Sequence, residues 1–221
     1  LDVVPLSLET PTADFTKQEA LSEGELCAAM SSGAQAVNPD ADILLLGEMG
    51  IGNSTVSSAL AASVFGGDVA RWVGAGTGSD EAGIARKQAV IEQGLKMHGS
   101  RIDLSALLAF GGREQAAICG AVLAARMARI PVILDGFICS AAVAPLFGMA
   151  AGSLDHCLVG HISAEPGHKH LLAAMGKSAI LQLDMRLGEG TGAAVALSVL
   201  RGATACHNQM ATFESAGVVG A

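Results

Sequence analysis

The sequence has little of several residue classes, and each shortage excludes a kind of protein. It has no tyrosine, and aromatic residues make up only 3% of its 221 residues. Charged residues make up 15% and hydrophobic residues 51%, which predicts a folded chain with a sizeable core rather than a disordered one. The 13 Lys and Arg residues are outnumbered by 21 Asp and Glu, for a net charge of −8. We therefore expect small-molecule partners, and neither nucleic acid nor an anionic membrane.

The cysteines lack the patterns of a disulfide framework or a zinc site. There are five, an odd number, and no two have C-x-x-C spacing. The longest apolar stretch, at about 137–151, is too short to span a bilayer and contains Pro145. The chain begins with Leu1, and no basic flank followed by an apolar stretch predicts a signal peptide. These features favour a protein of the reducing cytoplasm.

Short apolar segments alternate with helical patterns. Strands buried on both faces are predicted at residues 43–46, 131–134, 156–159 and 180–183. Helices are predicted at residues 23–37, 53–64, 81–98, 114–128, from about 140, at 166–175 and at 193–210. The alternation predicts an α/β fold, namely a doubly wound, mainly parallel, Rossmann-like sheet with helices on both faces. Residues 1–221 would form one domain with an extended segment at 1–16, and residues 102–110 could be helix or strand.

The stretch DILLLGEMGIGNST, at residues 42–55, combines a buried strand, a glycine turn and caps for a helix. Glycines let backbone N–H groups approach a phosphate, and a helix N-terminus favours negative charge, so the pattern predicts an anion site. The Glu48 carboxylate would repel a phosphate. We therefore expect a cationic or electron-poor group beside the phosphate. The alternative is an ordinary strand-to-helix turn. The spacing does not match the dinucleotide-binding G-x-G-x-x-G pattern.

Two further glycine loops make the phosphate interpretation stronger. They are GAGTGSD at 74–80 and GEGTG at 188–192. Glu189, like Glu48, follows a glycine after an apolar stretch and precedes another glycine and a helix. A carboxylate desolvated among glycines and aliphatic side chains has a raised pKa, which suits a general base near neutral pH. The alternative for each glutamate is a charge at a helix N-terminus.

Other polar residues allow more than one interpretation. Lys87 could reach a phosphate held on Gly76 and Gly78, although a helical lysine is more often solvated. Asp135, at a strand end, could contact a sugar hydroxyl or the loop backbone. In the HISAEPGH segment, Ser163 and Glu165 could bind a polar group of the substrate or cap the helix that begins at Pro166. His161, His168 and the nearby His170 match no strong zinc pattern, and we expect them to form hydrogen bonds within the loop.

Five motifs together resemble the nicotinate-nucleotide:dimethylbenzimidazole phosphoribosyltransferase family of cobalamin synthesis. In chain order they are GEMGIGNST at 47–55, GAGTGSD at 74–80, DGFICSAA at 135–142, HISAEPGH at 161–168 and DMRLGEGTGAA at 184–194. The resemblance runs from about residue 11 to residue 213. It implies transfer of the 5-phosphoribosyl group of nicotinate mononucleotide to 5,6-dimethylbenzimidazole, which releases nicotinate and gives α-ribazole 5′-phosphate. The leaving group is already a pyridinium cation, so no metal and no cofactor are expected.

The resemblance also implies roles for individual residues. Glu189 would be the base that takes the benzimidazole proton, and Glu48 would be a second carboxylate near the reaction centre that stabilises positive charge or shares the proton. Ser163 and Gly192 would lie near the nicotinate carboxylate. The implied phosphate contacts are Gly50, Gly74, Gly76, Gly78 and Lys87. A homodimer is implied as well.

The chain departs from the family pattern in two places. It lacks the N-terminal region that supplies part of the family's benzimidazole pocket and dimer contact, and FGGREQAA at 110–117 is more polar than usual at Arg113 and Gln115. A second hypothesis is therefore a nucleotide-binding module without turnover. A third, a diphosphate-dependent phosphoribosyltransferase, ranks last because no acidic pair follows a predicted strand to hold ribose and Mg²⁺.

Overall fold

A parallel four-stranded sheet is the centre of the computed structural model, which describes residues 1–76 and 78–218. Thr77, in the second glycine loop, and residues 219–221 lie outside the described part. The strands are β1 (Leu44–Leu46), β2 (Val132–Leu134), β3 (Cys157–His161) and β4 (Ala179–Leu181), and each pairs in parallel with the next. All four coincide with the predicted apolar runs, which confirms the α/β class with a parallel sheet.

The helices also follow the predicted pattern, with two refinements. Residues 102–110 contain a short helix rather than a strand, and the helix expected from about residue 140 begins at Phe137 and is interrupted before Pro145. The described α-helices are α1 (Glu23–Gln35), α2 (Asn53–Phe65), α3 (Glu81–His98), α4 (Ser105–Phe110), α5 (Arg113–Met127), α6 (Phe137–Ala142), α7 (Ala144–Met149), α8 (Pro166–Ala174) and α9 (Thr191–Gln209). The described part of the chain also has two 3-10 helices, Val69–Arg71 and Ala151–Leu154.

Helices cover both faces of the sheet, although the four described strands follow one another in chain order. The larger core packs on one face and includes side chains of α2, α5 and α6. A smaller core joins Ile133 of β2 to Ala193 and Ala196 of α9 on the other face. The second face is thus covered by α9, which follows β4. The spatial order of the described strands is the same as their order in the chain.

Local sequence explains how several helices begin. The Ser22 side chain accepts a hydrogen bond from Glu25 N–H, and the Glu25 carboxylate accepts one from Ser22 N–H, so the predicted capping box is formed at α1. Asp80 accepts a hydrogen bond from Gly83 N–H at 2.8 Å and caps α3 with this single bond. By contrast, the N-cap residues of α2 and α9 are Gly52 and Gly190, which are in the left-handed conformation. Because glycine has no side chain, neither helix is capped by its N-cap residue.

Gln115 and Arg113, the residues that make the segment 110–117 unusually polar, have structural partners. The Gln115 carboxamide accepts a hydrogen bond from Gly112 N–H at 2.9 Å. The Arg113 guanidinium donates to Thr10 O and to Glu25 Oε1, both at 2.6 Å, and so ties the extended N-terminal segment and α1 to α5. In the described residues, no helix is both long enough and apolar enough to cross a membrane.

Candidate active site

One cavity of about 350 Å³ lies at the carboxyl ends of the strands. Loops that follow all four strands contribute to its lining, as expected for parallel α/β sheets. The lining residues come from Glu48–Ser54, Asp135–Ile138, His161, Ser163, Glu165 and Arg186–Glu189, with Gly76 from the second glycine loop. Loops that are far apart in the chain therefore meet at one place.

Glu48 has a strongly perturbed carboxyl group. Its pKa is raised to about 7, first because burial disfavours the charged form and then because the Glu114 carboxylate lies nearby. Smaller contributions come from the charges of Asp135 and Glu189. A hydrogen bond from the Asn53 side chain to the Glu48 carboxylate acts in the opposite direction. A carboxyl group with this pKa can both take up and release a proton near neutral pH.

The Glu189 loop touches the Glu48 loop directly. A Cβ atom placed on Gly188 would lie 3.5 Å from Glu48 Oε1, and one placed on Gly47 would lie 2.3 Å from Gly190 N. Only glycine at position 47 permits this close backbone approach. Glu189 itself is exposed and lines the cavity. The two glutamates singled out from the sequence therefore share one cavity.

Glu114 is a further carboxyl group next to this cavity, and no motif in the sequence pointed to it. A Cβ atom placed on Gly50 would lie 2.5 Å from Glu114 Oε1, so the first turn of α5 packs behind the Glu48 loop. Burial raises the pKa of Glu114 as well. The only signal in the sequence was an acidic residue after Gly111 and Gly112, which does not predict a contact with a loop more than sixty residues earlier.

Asp135 contacts the loop backbone, which was one of its two predicted alternatives. Its Oδ2 accepts a hydrogen bond from Gly190 N–H at 3.1 Å, and its Oδ1 accepts one from Ala193 N–H at 2.8 Å. His161 Nε2 lies 3.6 Å from Asp135 Oδ1. Both residues are at most 2% exposed. Asp135 therefore links the end of β2 to the turn that carries Glu189.

Lys87 is partly buried rather than solvated. Its Nζ donates to Ser54 Oγ at 3.2 Å and to Gly74 O at 3.4 Å. A Cβ atom placed on Gly76 would lie 2.9 Å from this ammonium nitrogen. The cation of α3 thus lies beside the second glycine loop and the first turn of α2, where a phosphate was expected.

Glu165 changes the expected pattern of phosphate contacts. Its Oε1 accepts a hydrogen bond from Gly76 N–H at 2.7 Å, so a carboxylate holds the N–H group that was predicted to bind phosphate. Gly74 lies behind it, where an added Cβ would be 2.4 Å from Glu165 Oε2. Gly50 lines the cavity, whereas Gly78 is exposed and is not part of the lining. The four predicted phosphate-binding glycines are therefore not equivalent.

Ser163 lies in the cavity wall and is supported by a neutral histidine. Ser163 N–H donates to His168 Nδ1 at 3.0 Å, and His168 Nε2 lies 3.2 Å from Ser140 Oγ. Burial lowers the pKa of His168 to about 3. Because Nδ1 accepts a hydrogen bond, the proton is on Nε2, which donates to Ser140. Within residues 1–76 and 78–218, no group of three or more His, Cys, Asp or Glu side chains is placed to hold a metal ion.

Gly192 lies behind the cavity wall. A Cβ atom placed there would be 1.9 Å from His161 Cδ2, so the glycine makes room for the imidazole ring. Gly192 is not one of the lining residues, and its contact with a nicotinate carboxylate stays a prediction. Further lining residues that the sequence analysis did not single out are Met49, Ile51, Asn53, Phe137, Ile138, Arg186 and Leu187.

The fold and the cavity together define a class of protein. A parallel α/β domain with glycine loops and carboxylates at one cavity is a ligand-binding domain of the α/β enzyme type. A profile of the family described as "Phosphoribosyltransferase" matches residues 2–218. The chain therefore belongs to this phosphoribosyltransferase family. The names of its curated relatives agree with the resemblance of the five motifs.

Two curated relatives and one solved structure illustrate the similarity. The nicotinate-nucleotide--dimethylbenzimidazole phosphoribosyltransferase of Rhodobacter capsulatus is 59% identical over 218 residues, and that of a Ruegeria species is 54% identical. Each alignment covers 99% of this chain and 65% of the relative. A crystal structure of CobT from Thermus thermophilus superposes with a TM-score of 0.88 at 38% identity, and it covers 95% of this chain and 64% of that one. The chain thus spans just under two thirds of these proteins.

Proposed function

We propose that this chain carries the nucleotide site and the catalytic carboxylates of a phosphoribosyltransferase that acts on nicotinate mononucleotide. The enzyme would transfer the 5-phosphoribosyl group to 5,6-dimethylbenzimidazole and give α-ribazole 5′-phosphate and nicotinate, a step in the synthesis of the cobalamin lower ligand. Family membership and the names of relatives at 54–59% identity support this reaction class. The observation that carries the proposal is the presence of Glu48 and Glu189 in the lining of one cavity.

The leaving group sets the first chemical requirement. As nicotinate departs, the bond between the anomeric carbon and the pyridinium nitrogen breaks, and its electron pair neutralises that nitrogen. Positive charge meanwhile develops on the ribose. Carboxylates beside the anomeric carbon stabilise that charge, and they do so more strongly in a cavity with few water molecules. Glu48 and Glu189, on loops in direct contact, supply such a pair.

The acceptor sets the second requirement, a proton acceptor. One benzimidazole nitrogen attacks the anomeric carbon from the face opposite the leaving group, and the other nitrogen must lose its proton. In the proposal Glu189 takes this proton. Glu48, whose pKa is raised to about 7, can then share it, because its neutral and charged forms are equally populated near pH 7. Burial and the neighbouring Glu114 carboxylate supply that property.

Lys87 anchors the 5′-phosphate in this proposal. It lies against Ser54 at the first turn of α2, where the helix N-terminus adds a favourable partial charge. Gly50, Gly74, Gly76 and Gly78 remain the proposed backbone contacts. Since Glu165 holds Gly76 N–H, this carboxylate must turn away before that group can bind a phosphate. Ser163 and Gly192 complete the proposal near the nicotinate carboxylate.

A second candidate function is nucleotide binding without turnover. The observation that favours it is that the chain spans 65% of the length of its curated relatives, which leaves about a third of each relative to contribute to an acceptor pocket. Cytoplasmic location and a homodimer belong to the main proposal. The cysteines of the described residues are all free, which fits a reducing compartment.

Calorimetry followed by a product assay separates the two candidates. The 221-residue chain and a version extended to the length of its relatives are titrated with nicotinate mononucleotide, and dimethylbenzimidazole is then added to the same samples. The main proposal predicts binding by both and ribazole phosphate from at least the extended version. Binding without product by the 221-residue chain supports the module for this chain, and binding without product by the extended version as well contradicts the main proposal. Absence of binding by both versions contradicts the two candidates together.

A further inference from the structure

The turn that carries Glu189 has an unfavourable backbone conformation. Gly188, Glu189 and Gly190 have φ angles of 84°, 58° and 79°, all in the left-handed region. Glycine adopts these angles readily, whereas a residue with a Cβ atom does so at a cost in free energy. A glutamate persists there only where the surroundings hold the backbone in place.

Asp135 is placed to hold it. The Asp135 carboxylate lies 55 residues before Gly190 in the chain and accepts hydrogen bonds from Gly190 N–H at 3.1 Å and Ala193 N–H at 2.8 Å. These N–H groups flank the start of α9, which has no cap from its own N-cap residue, Gly190. Hydrogen bonds to an ionised carboxylate are stronger than those between neutral groups, and the positive end of the helix dipole adds to them.

Asp135 is itself tightly enclosed. It is 2% exposed, and it follows β2 directly, in the centre of the sheet. His161, from the end of β3, packs beside it with Nε2 3.6 Å from Asp135 Oδ1. A Cβ atom on Gly136 would lie 2.9 Å from this nitrogen, and one on Gly192 would lie 1.9 Å from Cδ2 of the same ring. The imidazole therefore occupies a space that these two glycines leave open. The carboxylate therefore has little freedom to move away from the turn.

We propose that Asp135 is the positioning residue for Glu189. It holds the turn by two hydrogen bonds and so keeps the Glu189 carboxylate directed into the cavity. The consequence for turnover rests on the proposed function, since a misplacement of about 1 Å in a reacting group can cost about a hundredfold in rate. The positioning itself is a property of the chain and can be measured without turnover.

The first test measures amide hydrogen exchange in the 221-residue chain. Asp135→Asn keeps the shape of the side chain but leaves one acceptor oxygen and no charge, so exchange at Gly190 and Ala193 should accelerate at least about tenfold. Val132 N–H, bonded to His156 O within the sheet, reports on the fold and should not change. Asp155→Asn, at an exposed carboxylate, is the matched control. Unchanged exchange at both amides in a folded variant overturns the proposal.

A second measurement covers the case in which Asp135→Asn does not fold. In the unaltered chain, NMR couplings across hydrogen bonds should connect the Gly190 and Ala193 amide nitrogens to the Asp135 carboxyl carbon. Amides that are resolved but show no such coupling, together with exchange as fast as that of solvent-exposed amides, would overturn the proposal without any variant.

Turnover gives the third readout, which a merely structural role would not produce. In the version that makes product, Asp135→Asn should lower kcat about a hundredfold and leave KM for nicotinate mononucleotide within about threefold. In a Glu189→Gln background the same change should cost less than about threefold, because the two residues act as one unit. Additive losses overturn the proposal. If the unaltered enzyme makes no product, the proposed function fails, and the exchange measurements still decide whether Asp135 positions the turn.

Discussion

The cavity has two sides that differ in charge and in how they are built. The carboxylate side consists of Glu48, Asp135 and Glu189, with Glu114 behind them, and its loops meet backbone to backbone at Gly47 and Gly190. On the lysine side, Ser54 and Gly76 line the cavity, and behind them the Lys87 side chain contacts Ser54 Oγ and Gly74 O. Backbone contacts allow little adjustment, whereas side chains such as those of Lys87 and Glu165 can change rotamer.

This difference suits the two tasks that we propose for the two sides. A carboxylate that takes a proton or stabilises a developing charge must be held to within a fraction of an ångström, and preorganisation supplies much of its effect. An anchor for a phosphate can adapt when the ligand arrives. We therefore expect changes on the carboxylate side to affect turnover and stability, and changes on the lysine side to affect affinity.

The largest expected effect is the loss of turnover on removal of the proposed base. In the version of the protein that makes product, Glu189→Gln should lower kcat by about 10²–10⁴, the usual contribution of a general base. The dissociation constant for nicotinate mononucleotide should stay within about threefold, as measured by calorimetry. Glu81→Gln, at the exposed first turn of α3, is the control for a carboxylate that only favours a helix N-terminus. Unchanged turnover in Glu189→Gln would refute the role of the base.

A smaller effect, on affinity alone, is expected at Lys87. Lys87→Met removes a charged hydrogen-bond donor, worth about 1.5–3 kcal/mol, so nicotinate mononucleotide should bind about ten to a hundred times more weakly. The rate at saturating nucleotide should change little. Lys96→Met, in the last turn of the same helix, is the matched control and should bind like the parent. Equal affinity in Lys87→Met would remove this residue from the phosphate site.

Glu48 should make stability depend on pH. Because the pKa of Glu48 is raised from 4.5 to about 7 on folding, the folded chain holds this proton more tightly than the unfolded chain. The free energy of unfolding therefore falls as the pH rises from about 4.5 through about 7, by up to about 3 kcal/mol. Glu48→Gln removes this loss, so urea unfolding at pH 8 should show a more stable variant than the parent, and the difference should shrink at pH 5.

The control for this experiment is Glu9→Gln, at an exposed carboxylate of the N-terminal segment. Its stability relative to the parent should not change between pH 5 and pH 8. If Glu48→Gln behaved in the same way, the Glu48 carboxyl group would not have a raised pKa, and its proposed part in sharing a proton would have no physical basis.

The smallest effect is expected at the backbone contact between the Glu48 and Glu189 loops. Gly47→Ala would place Cβ 2.3 Å from Gly190 N, and backbone atoms of two loops must then separate, at a cost of about 1–3 kcal/mol. Gly202→Ala, in α9 with nothing within 4 Å of the new Cβ, should stabilise the chain by up to about 1 kcal/mol. Thermal unfolding of both variants measures the contrast, and a Gly47→Ala variant as stable as the parent would contradict the backbone contact.

Much of the fold could be predicted because the signals are local. The apolar segments of β1 and β2 and the Ser22 capping box depend on neighbouring residues, and the structure has them at the predicted places. The exact start of α6 was missed, because Phe137 and the glycine before it read as part of a loop. The local sequence pattern does not predict that the helix begins as early as Phe137.

Less of the candidate site could be predicted, because its key contacts join distant parts of the chain. Glycine loops indicated where Glu48 and Glu189 would lie, since carboxyl ends of parallel strands meet at one edge. The contact between Glu114 and Gly50, and the hold of Glu165 on Gly76 N–H, have no signature in spacing. Lys87 was expected in solvent on residue type alone, and only packing against Ser54 shows otherwise.

The sequence by itself determined the alternation of strands and helices, the glycine turns and the family to which the chain belongs. Each of these depends on residue type and on spacing along the chain. The tertiary structure decided how acidic the Glu48 carboxyl group is and which groups hold the Glu189 turn. The physical reason is that desolvation and Coulomb interactions depend on distance through space, which the order of residues does not specify.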